Sequence, residues 1–257
     1  VDVEAAVVAL GAAAFGLAFG SFLNVCILRL PHERSLLKPP SSCPSCGHLI
    51  GWRDNVPVAS WLLLRGRCRW CQAPISAQYP LIEALVAVLW ISAVVYFGPT
   101  LQALAAASFA TILLGIAITD ARHYIIPDEF SFGGLAIGLL LSLRGGAAGL
   151  LDALLGAAVG FGLLYAVAVV GKWLFKEEAM GGGDIKMMAM VGAFVGWKGV
   201  LLTIFLGALL GTVVFVPLTL QKKRLVPFGV FLAVGAAVTF LAQDAILAWY
   251  QRFLSIG

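Results

Sequence analysis

The stretch AMGGGDIKMMAMVG, residues 179–192, runs three consecutive glycines into Asp184 and then into a segment apolar enough to enter a membrane. Ionisable groups at membrane depth are costly and mark functional sites by default. Glycine reaches φ > 0 without strain and lets a second backbone come close. The stretch therefore predicts a membrane helix that opens on a functional acid. Gly181, Gly182 and Gly183 would leave room for an extended peptide beside Asp184. Lys186, two residues on, is placed to act on that carboxylate or to hold a lipid phosphate.

The rest of the chain supports a membrane setting. Of its 257 residues, 61% are hydrophobic and 12% charged, and the mean hydropathy is +0.99; soluble domains carry about 25% charged residues. A crossing helix needs roughly 20 apolar residues, and lipid requires the backbone to satisfy itself. The reading is an all-α polytopic membrane protein of about eight transmembrane helices: 5–28, 80–97, 101–119, 130–143, 150–175, 185–196, 200–220 and 228–249. Spans 130–143 and 185–196 are short. The first span lacks a basic leader region and reads as a membrane helix, not a signal peptide. Fourteen of the 17 Lys and Arg residues fall in alternate loops, which places those loops in the cytoplasm. The chain then divides into helix 1 (1–28), a cytoplasmic module (29–79) and a membrane core (80–257). The basic loops suit anionic lipid heads of the bilayer; the net charge of +4 follows from them and does not point to nucleic acid.

Residues 43–71 read CPSCGHLIGWRDNVPVASWLLLRGRCRWC. Cys43 with Cys46 and Cys68 with Cys71 form two C-x-x-C pairs separated by 21 residues. Four thiolates suit tetrahedral zinc in a closed, structural site, and a reducing compartment argues against disulfides. His48 reads as a turn residue, and Cys26, alone in the first span, as a small apolar core residue. Trp52, Trp61 and Trp70 pack over the site or rest at the membrane interface. Glu83 is placed to pair with an arginine of this loop and dock it on the membrane helices.

The acids at the cytoplasmic ends of the spans are Glu83, Asp120, Asp128 and Asp184. Asp184 and Asp128 both stand where an aspartate caps a helix, and capping accounts for Asp128. Asp120 closes a helix, where the macrodipole opposes a negative charge, so it needs a functional reason. Asp152, on the outer side, reads as a helix-start residue. Two carboxylates sharing one proton over one water make an aspartic hydrolase. The helix dipoles make Asp184 the resting base and Asp120 the resting acid. The same acids also fit a proton-coupled transporter, although transporter carboxylates lie near the midplane of repeated halves. A scaffolding adaptor built on the cysteine module is the third reading.

The chain resembles the bacterial type IV prepilin peptidases, the bifunctional leader peptidases and N-methyltransferases that share a G-x-G-D element with other membrane aspartic proteases. The resemblance is carried by GSFLNV (20–25) with RLP (29–31), the paired cysteines around WRDNVPVASWLLLRGRC, ISAQYPLIEAL (75–85), Asp120 with IPD (126–128), GGGDIK (181–186) and PFGVFLAVGA (227–236). It implies that Asp120 and Asp184 are the catalytic pair and that Cys43, Cys46, Cys68 and Cys71 hold the metal. It also implies cleavage of prepilins and pseudopilins after the glycine that ends a short basic leader, on the cytoplasmic face of the bacterial inner membrane. Methylation of the new N-terminus from S-adenosylmethionine would follow. Val230 stands where the family often has a second proline, and Cys26 where it usually has an aliphatic residue. No strand–G-x-G-x-x-G–helix unit of the nucleotide-binding kind is present; the sequence names no methyl-donor residues, and the cytoplasmic loop and nearby helix ends are where a donor would bind. The glycines of the first helix (Gly11, Gly16, Gly20) read as close packing. Glu177 and Glu178 are placed to meet a basic leader. The sequence assigns no oligomeric state.

Overall fold

The computed structural model describes residues 3–176, 180–219 and 227–255; among them every regular element is helical. Glu177 and Glu178, and the basic cluster Lys222, Lys223 and Arg224, lie outside the described residues. The α-helices are α1 (Val3–Arg29), α2 (Ala59–Leu63), α3 (Gln78–Phe97), α4 (Leu101–His123), α5 (Asp128–Ser142), α6 (Gly146–Phe175), α7 (Gly182–Thr219) and α8 (Phe228–Ser255). Phe15, Val95, Leu140, Val170 and Val213 are all exposed, an apolar exterior that lipid accepts and water would penalise.

Six stretches are long and apolar enough to cross a membrane: Val3–His32, Gln78–Phe97, Leu101–His123, Asp128–Phe175, Gly182–Val214 and Phe228–Phe253. The count of eight expected from sequence divides two of these. The divisions fall at real breaks. A 3-10 turn, Leu143–Gly145, followed by Gly146 at φ 64°, separates α5 from α6. Gly196 interrupts α7 with φ 69° and ψ 176°, almost the conformation that ends α3 at Gly98 (φ 69°, ψ −179°). Only glycine takes such angles cheaply. Asp152, expected at a helix start, lies inside α6. A Cβ on Gly196 would come 2.5 Å from its Oδ2, so the carboxylate sits directly on the break.

The contacts divide the chain into two units, one running through Thr111 and the other from Ile112, with the boundary inside α4. In the first unit α1 packs on α3. A Cβ on Gly16 would sit 2.6 Å from the Ala87 Cα, and one on Gly20 2.7 Å from the Glu83 Cα. Both glycines thus let the backbones meet, as expected for small residues at membrane helix interfaces. Gly11 has no such neighbour. Trp90 stacks on Phe19 with centroids 4.9 Å apart and donates its indole N–H to Thr111 Oγ1 at 3.1 Å. Cys26 is buried, as expected.

In the second unit α7 packs against α5, α6 and α8. Met187, Met188 and Met190 are wholly buried there. The contact with α6 is made backbone to backbone: a Cβ on Gly156 would strike the Gly192 carbonyl, and one on Gly160 the Met188 carbonyl. Gly162, two residues along α6, faces open space. Gly160→Leu is therefore expected to destabilise the fold by about 1–3 kcal/mol or more through overpacking, seen as a lower Tm in detergent. Gly162→Leu should leave Tm unchanged or slightly raised, since leucine outranks glycine in helices.

Candidate functional site

Asp120 and Asp184 are 64 residues apart in sequence, yet both belong to the second unit. Asp120 lies in the last turn of α4 and is buried. Its Oδ2 accepts the backbone N–H of Val230 at 3.1 Å, at the start of α8. A Cβ on Gly229 would come 2.9 Å from the same oxygen. Asp120 thus closes α4 and at the same time meets the N-terminal donors of α8, where the macrodipole favours an anion. This corrects the expectation drawn from α4 alone, that its surroundings oppose a negative charge. Asp184 lies in the first turn of α7, which begins two residues earlier at Gly182. Its Oδ1 is buried and no group among the described residues satisfies it. Ile126 joins the two ends: a Cβ on Gly183 would lie 2.9 Å from its Cβ, and one on Gly229 2.7 Å from its Cδ1. The carboxylates are close enough for Asp120 to act electrostatically on Asp184.

The three glycines before Asp184 have separate roles. Gly183 is closed by Ile126. A Cβ on Gly181 would come 3.2 Å from Asp184 Oδ2, and Gly182 faces open space. Only Gly181 and Gly182 are exposed, so only they are free for another backbone to approach. Lys186 does not serve Asp184. Its Nζ donates to both oxygens of Asp128, at 2.7 and 2.8 Å, and lies 5.7 Å from the centre of the Phe132 ring. Asp128, expected to cap α5, makes no capping bond; it is the first helical residue and ties α5 to α7 instead.

The cysteine module belongs to the first unit. Its two pairs fold as matching turns. Cys43 N–H donates to the His48 carbonyl at 2.9 Å and Gly47 N–H to the Cys43 carbonyl at 2.8 Å; Cys68 N–H donates to Ala73 at 2.9 Å and Gln72 N–H to Cys68 at 3.0 Å. The residue after each pair is left-handed, Gly47 at φ 70° and Gln72 at φ 58°. The four sulfurs all lie within 4.8 Å of one another, and Cys43 Sγ is 3.8 Å from Cys71 Sγ. Four sulfurs about 2.3 Å from a tetrahedral zinc would stand about 3.8 Å apart, so the donor set fits that ion. Two backbone N–H groups, of Cys46 and Ser45, pull the Cys43 thiol down to about 6. His48 packs tilted against Trp70, centroids 4.1 Å apart, and so links the two turns. Trp61 donates its indole N–H to the Ile75 carbonyl at 3.1 Å. Trp52 is exposed, with the Arg53 guanidinium over its ring at 5.3 Å.

Glu83 docks the module, although not through an arginine. Its Oε2 accepts the backbone N–H of Val58 at 2.7 Å, while Arg69 forms its ion pair with Asp54 at 2.6 Å. That pairing lowers the Asp54 carboxyl below its usual value, first through the hydrogen bond from Arg69. Sequence reasoning missed Val230, Val58, Ile126 and Asn24. Only Val230 carried a signal, as the residue that replaces a proline and so has an N–H to give.

Two family profiles match the chain: the bacterial peptidase A24 N-terminal domain over residues 14–97, and the type IV leader peptidase family over residues 107–216. A prepilin leader peptidase/N-methyltransferase of Aeromonas hydrophila is 37% identical over 264 residues, covering 92% of this chain and 91% of that protein. One of Stutzerimonas stutzeri is 38% identical over 269 residues, covering 93% and 92%. One of Myxococcus xanthus is 40% identical over 212 residues; the match takes in 82% of this chain but only 63% of that longer protein. No solved structure matches the chain.

Proposed function

The chain belongs to the type IV leader peptidase family, and from that premise we propose that it is a membrane aspartic endopeptidase of prepilins and pseudopilins that also methylates the new N-terminus. The observation that carries the peptidase half is the meeting of Asp120 and Asp184 around Ile126, one with backbone donors and the other with a buried oxygen lacking any partner among the described residues. Two carboxylates this close share one proton. Asp120, held by the N–H of Val230, is the ionised partner and takes a proton from the attacking water. Asp184 carries the shared proton and polarises the scissile carbonyl. As the tetrahedral intermediate collapses, the C–N bond breaks and the amine leaves with a proton returned from the pair. These roles reverse those read from the dipoles of α4 and α7 alone. The exposed backbone at Gly181 and Gly182 is where the substrate strand lies. Lys186, with Asp128, fixes the start of α7 against α5 so that Asp184 keeps its position.

Cys43, Cys46, Cys68 and Cys71 hold a structural zinc, which closes the module and leaves no coordination position for catalysis. S-adenosylmethionine, when bound, would supply a methyl group from its sulfonium to the free amine, which would give up a proton in exchange. The charge bias of the loops supports a cytoplasmic side for the aspartates, and the leader-peptidase reading supports a bacterial inner membrane. The transporter reading is dropped, since the matched relatives bear peptidase and methyltransferase names. The test is a purified prepilin incubated with the detergent-solubilised protein, with the N-terminal mass of the product read out. Cleavage after the leader glycine, followed by a gain of about 14 Da with S-adenosylmethionine, the mass of one transferred CH₂, is the expected result. An uncut prepilin would refute the peptidase, and a cut product that gains no mass would refute the methyltransferase.

A further inference from the structure

The first unit contains a cavity of about 740 Å³ between the cysteine module and the paired helices α1 and α3, within the size range of small-molecule sites. Its membrane-side wall includes Asn24 from α1 and Glu83 from α3, both buried, at 2% and 7% exposure. They stand where the two helices touch, one turn from Gly20, whose added Cβ would meet the Glu83 backbone. The Asn24 amide is oriented by its own donations, from Nδ2 to the Gly20 carbonyl at 3.3 Å and the Tyr79 carbonyl at 3.1 Å. That leaves Asn24 Oδ1 buried and without a partner among the described residues. A buried acceptor left unsatisfied is costly in a native structure and calls for an explanation.

Glu83 accepts the N–H of Val58 and a hydrogen bond from Ser21. Val58 holds that N–H in place at φ 59°, in a tight turn closed by Ala59 N–H to the Pro57 carbonyl at 2.6 Å. A β-branched residue at positive φ is strained. No lysine, arginine or histidine forms an ion pair with Glu83 among the described residues. The cavity thus has Glu83 and Asn24 in its lining together with Arg34 and Lys38, with the Asn24 amide oxygen lying just behind the wall. Trp61 and Trp70 add aromatic area to its walls.

We propose that this cavity binds S-adenosylmethionine, with Glu83, backed by the Asn24 amide oxygen, receiving its cationic end. The proposal rests on the methyltransferase reading above. The donor has a sulfonium and an ammonium close together, which answer a carboxylate with the negative end of a buried amide dipole behind it. Its own carboxylate answers the basic groups, and its adenine the tryptophans. Cys43 and Cys68 also line the cavity, so the metal centre shapes one of its walls.

The test uses the full-length protein in detergent, with S-adenosylmethionine as the calorimetric probe and helix content as the folding control. Glu83→Gln and Asn24→Leu are each expected to weaken binding at least tenfold. A second measurement needs no variant: ultraviolet cross-linking of labelled S-adenosylmethionine to wild-type protein, with the adduct mapped by mass spectrometry. The expected adduct lies within residues 21–83. Variants that bind within twofold of a methylating wild type, or an adduct within 112–257, overturn the cavity assignment alone. A wild type that neither binds the donor nor methylates a cleaved prepilin overturns the assignment together with the methyltransferase reading.

Discussion

Asp184→Asn is expected to slow prepilin cleavage by at least about a thousandfold, within the 10²–10⁴ range of general acid–base groups, and Asp120→Asn by a comparable factor. Asparagine is close to isosteric with aspartate, so both variants should fold. At position 120 its amide oxygen still accepts the N–H of Val230, and α4 and α8 keep their junction. What each variant loses is a group that exchanges a proton. Because the two carboxylates work as one unit, the double variant should be hardly slower than either single one. Asp128→Asn supplies the contrast. Asp128 is 53% exposed and pairs with Lys186 at the surface, an interaction worth about 0–1 kcal/mol, so cleavage should change by no more than about fivefold. The measurement is single-turnover cleavage of a purified prepilin in detergent. If the Asp120 and Asp184 variants cut within tenfold of wild type, the two aspartates are helix-end residues and the catalytic pair lies elsewhere.

Much of this arrangement was legible in the sequence because it is local. A run of apolar residues declares a membrane helix, and two C-x-x-C pairs declare a metal-ready module whose turns close within six residues. The breaks at Leu143–Gly145 and Gly196 were legible as well, since glycine clusters interrupt the apolar runs there. What could not be read is what each acid faces. Asp120 looks misplaced at the end of α4 until Val230, 110 residues away, brings the start of α8 to it. Lys186 seems to belong to Asp184, two residues off, but in the first turn of a helix residues i and i+2 point apart, and Lys186 reaches Asp128 on α5. Glu83 was rightly read as the docking residue, but its partner is a backbone N–H, and every loop residue except proline offers one. The unsatisfied oxygen of Asn24 has no sequence signature, because satisfaction is a property of the packed neighbourhood.

Removing the metal should have the second large effect. Purified protein is expected to carry about one zinc per chain, and a strong chelator should raise the rate at which protease cuts within residues 29–79 at least a hundredfold. The module has little else to hold it. Its regular structure amounts to short 3-10 turns, the five-residue α2 and two isolated bridges. Leu37, Trp52, Leu63 and Trp70 are exposed, and the Asp54–Arg69 pair is a partly exposed ion pair of the kind that contributes about 0–1 kcal/mol. Structural zinc contributes about 10–16 kcal/mol of apparent binding energy in small domains. The thiols themselves favour a cation. Cys43 is drawn down to about 6 by the N–H groups of Cys46 and Ser45. Cys71 accepts the N–H of Ala73, yet desolvation and the sulfurs of Cys46, Cys68 and Cys43 push it up to about 11. A cation among the four sulfurs offsets the repulsion between thiolates held this close. Protons compete with the metal for these sulfurs. A thiol with a depressed value favours the folded module above its unfolded value of about 8.5, and that contribution fades as pH falls through about 6. Zinc loss and proteolysis should accordingly rise together below pH 6. Cutting should stop at the ends of the module, because α1 and α3 are held by the backbone contacts at Gly16 and Gly20, which need no metal. Protein isolated without zinc, or a module equally resistant before and after chelation, would mean that the four cysteines are close for some reason other than a metal.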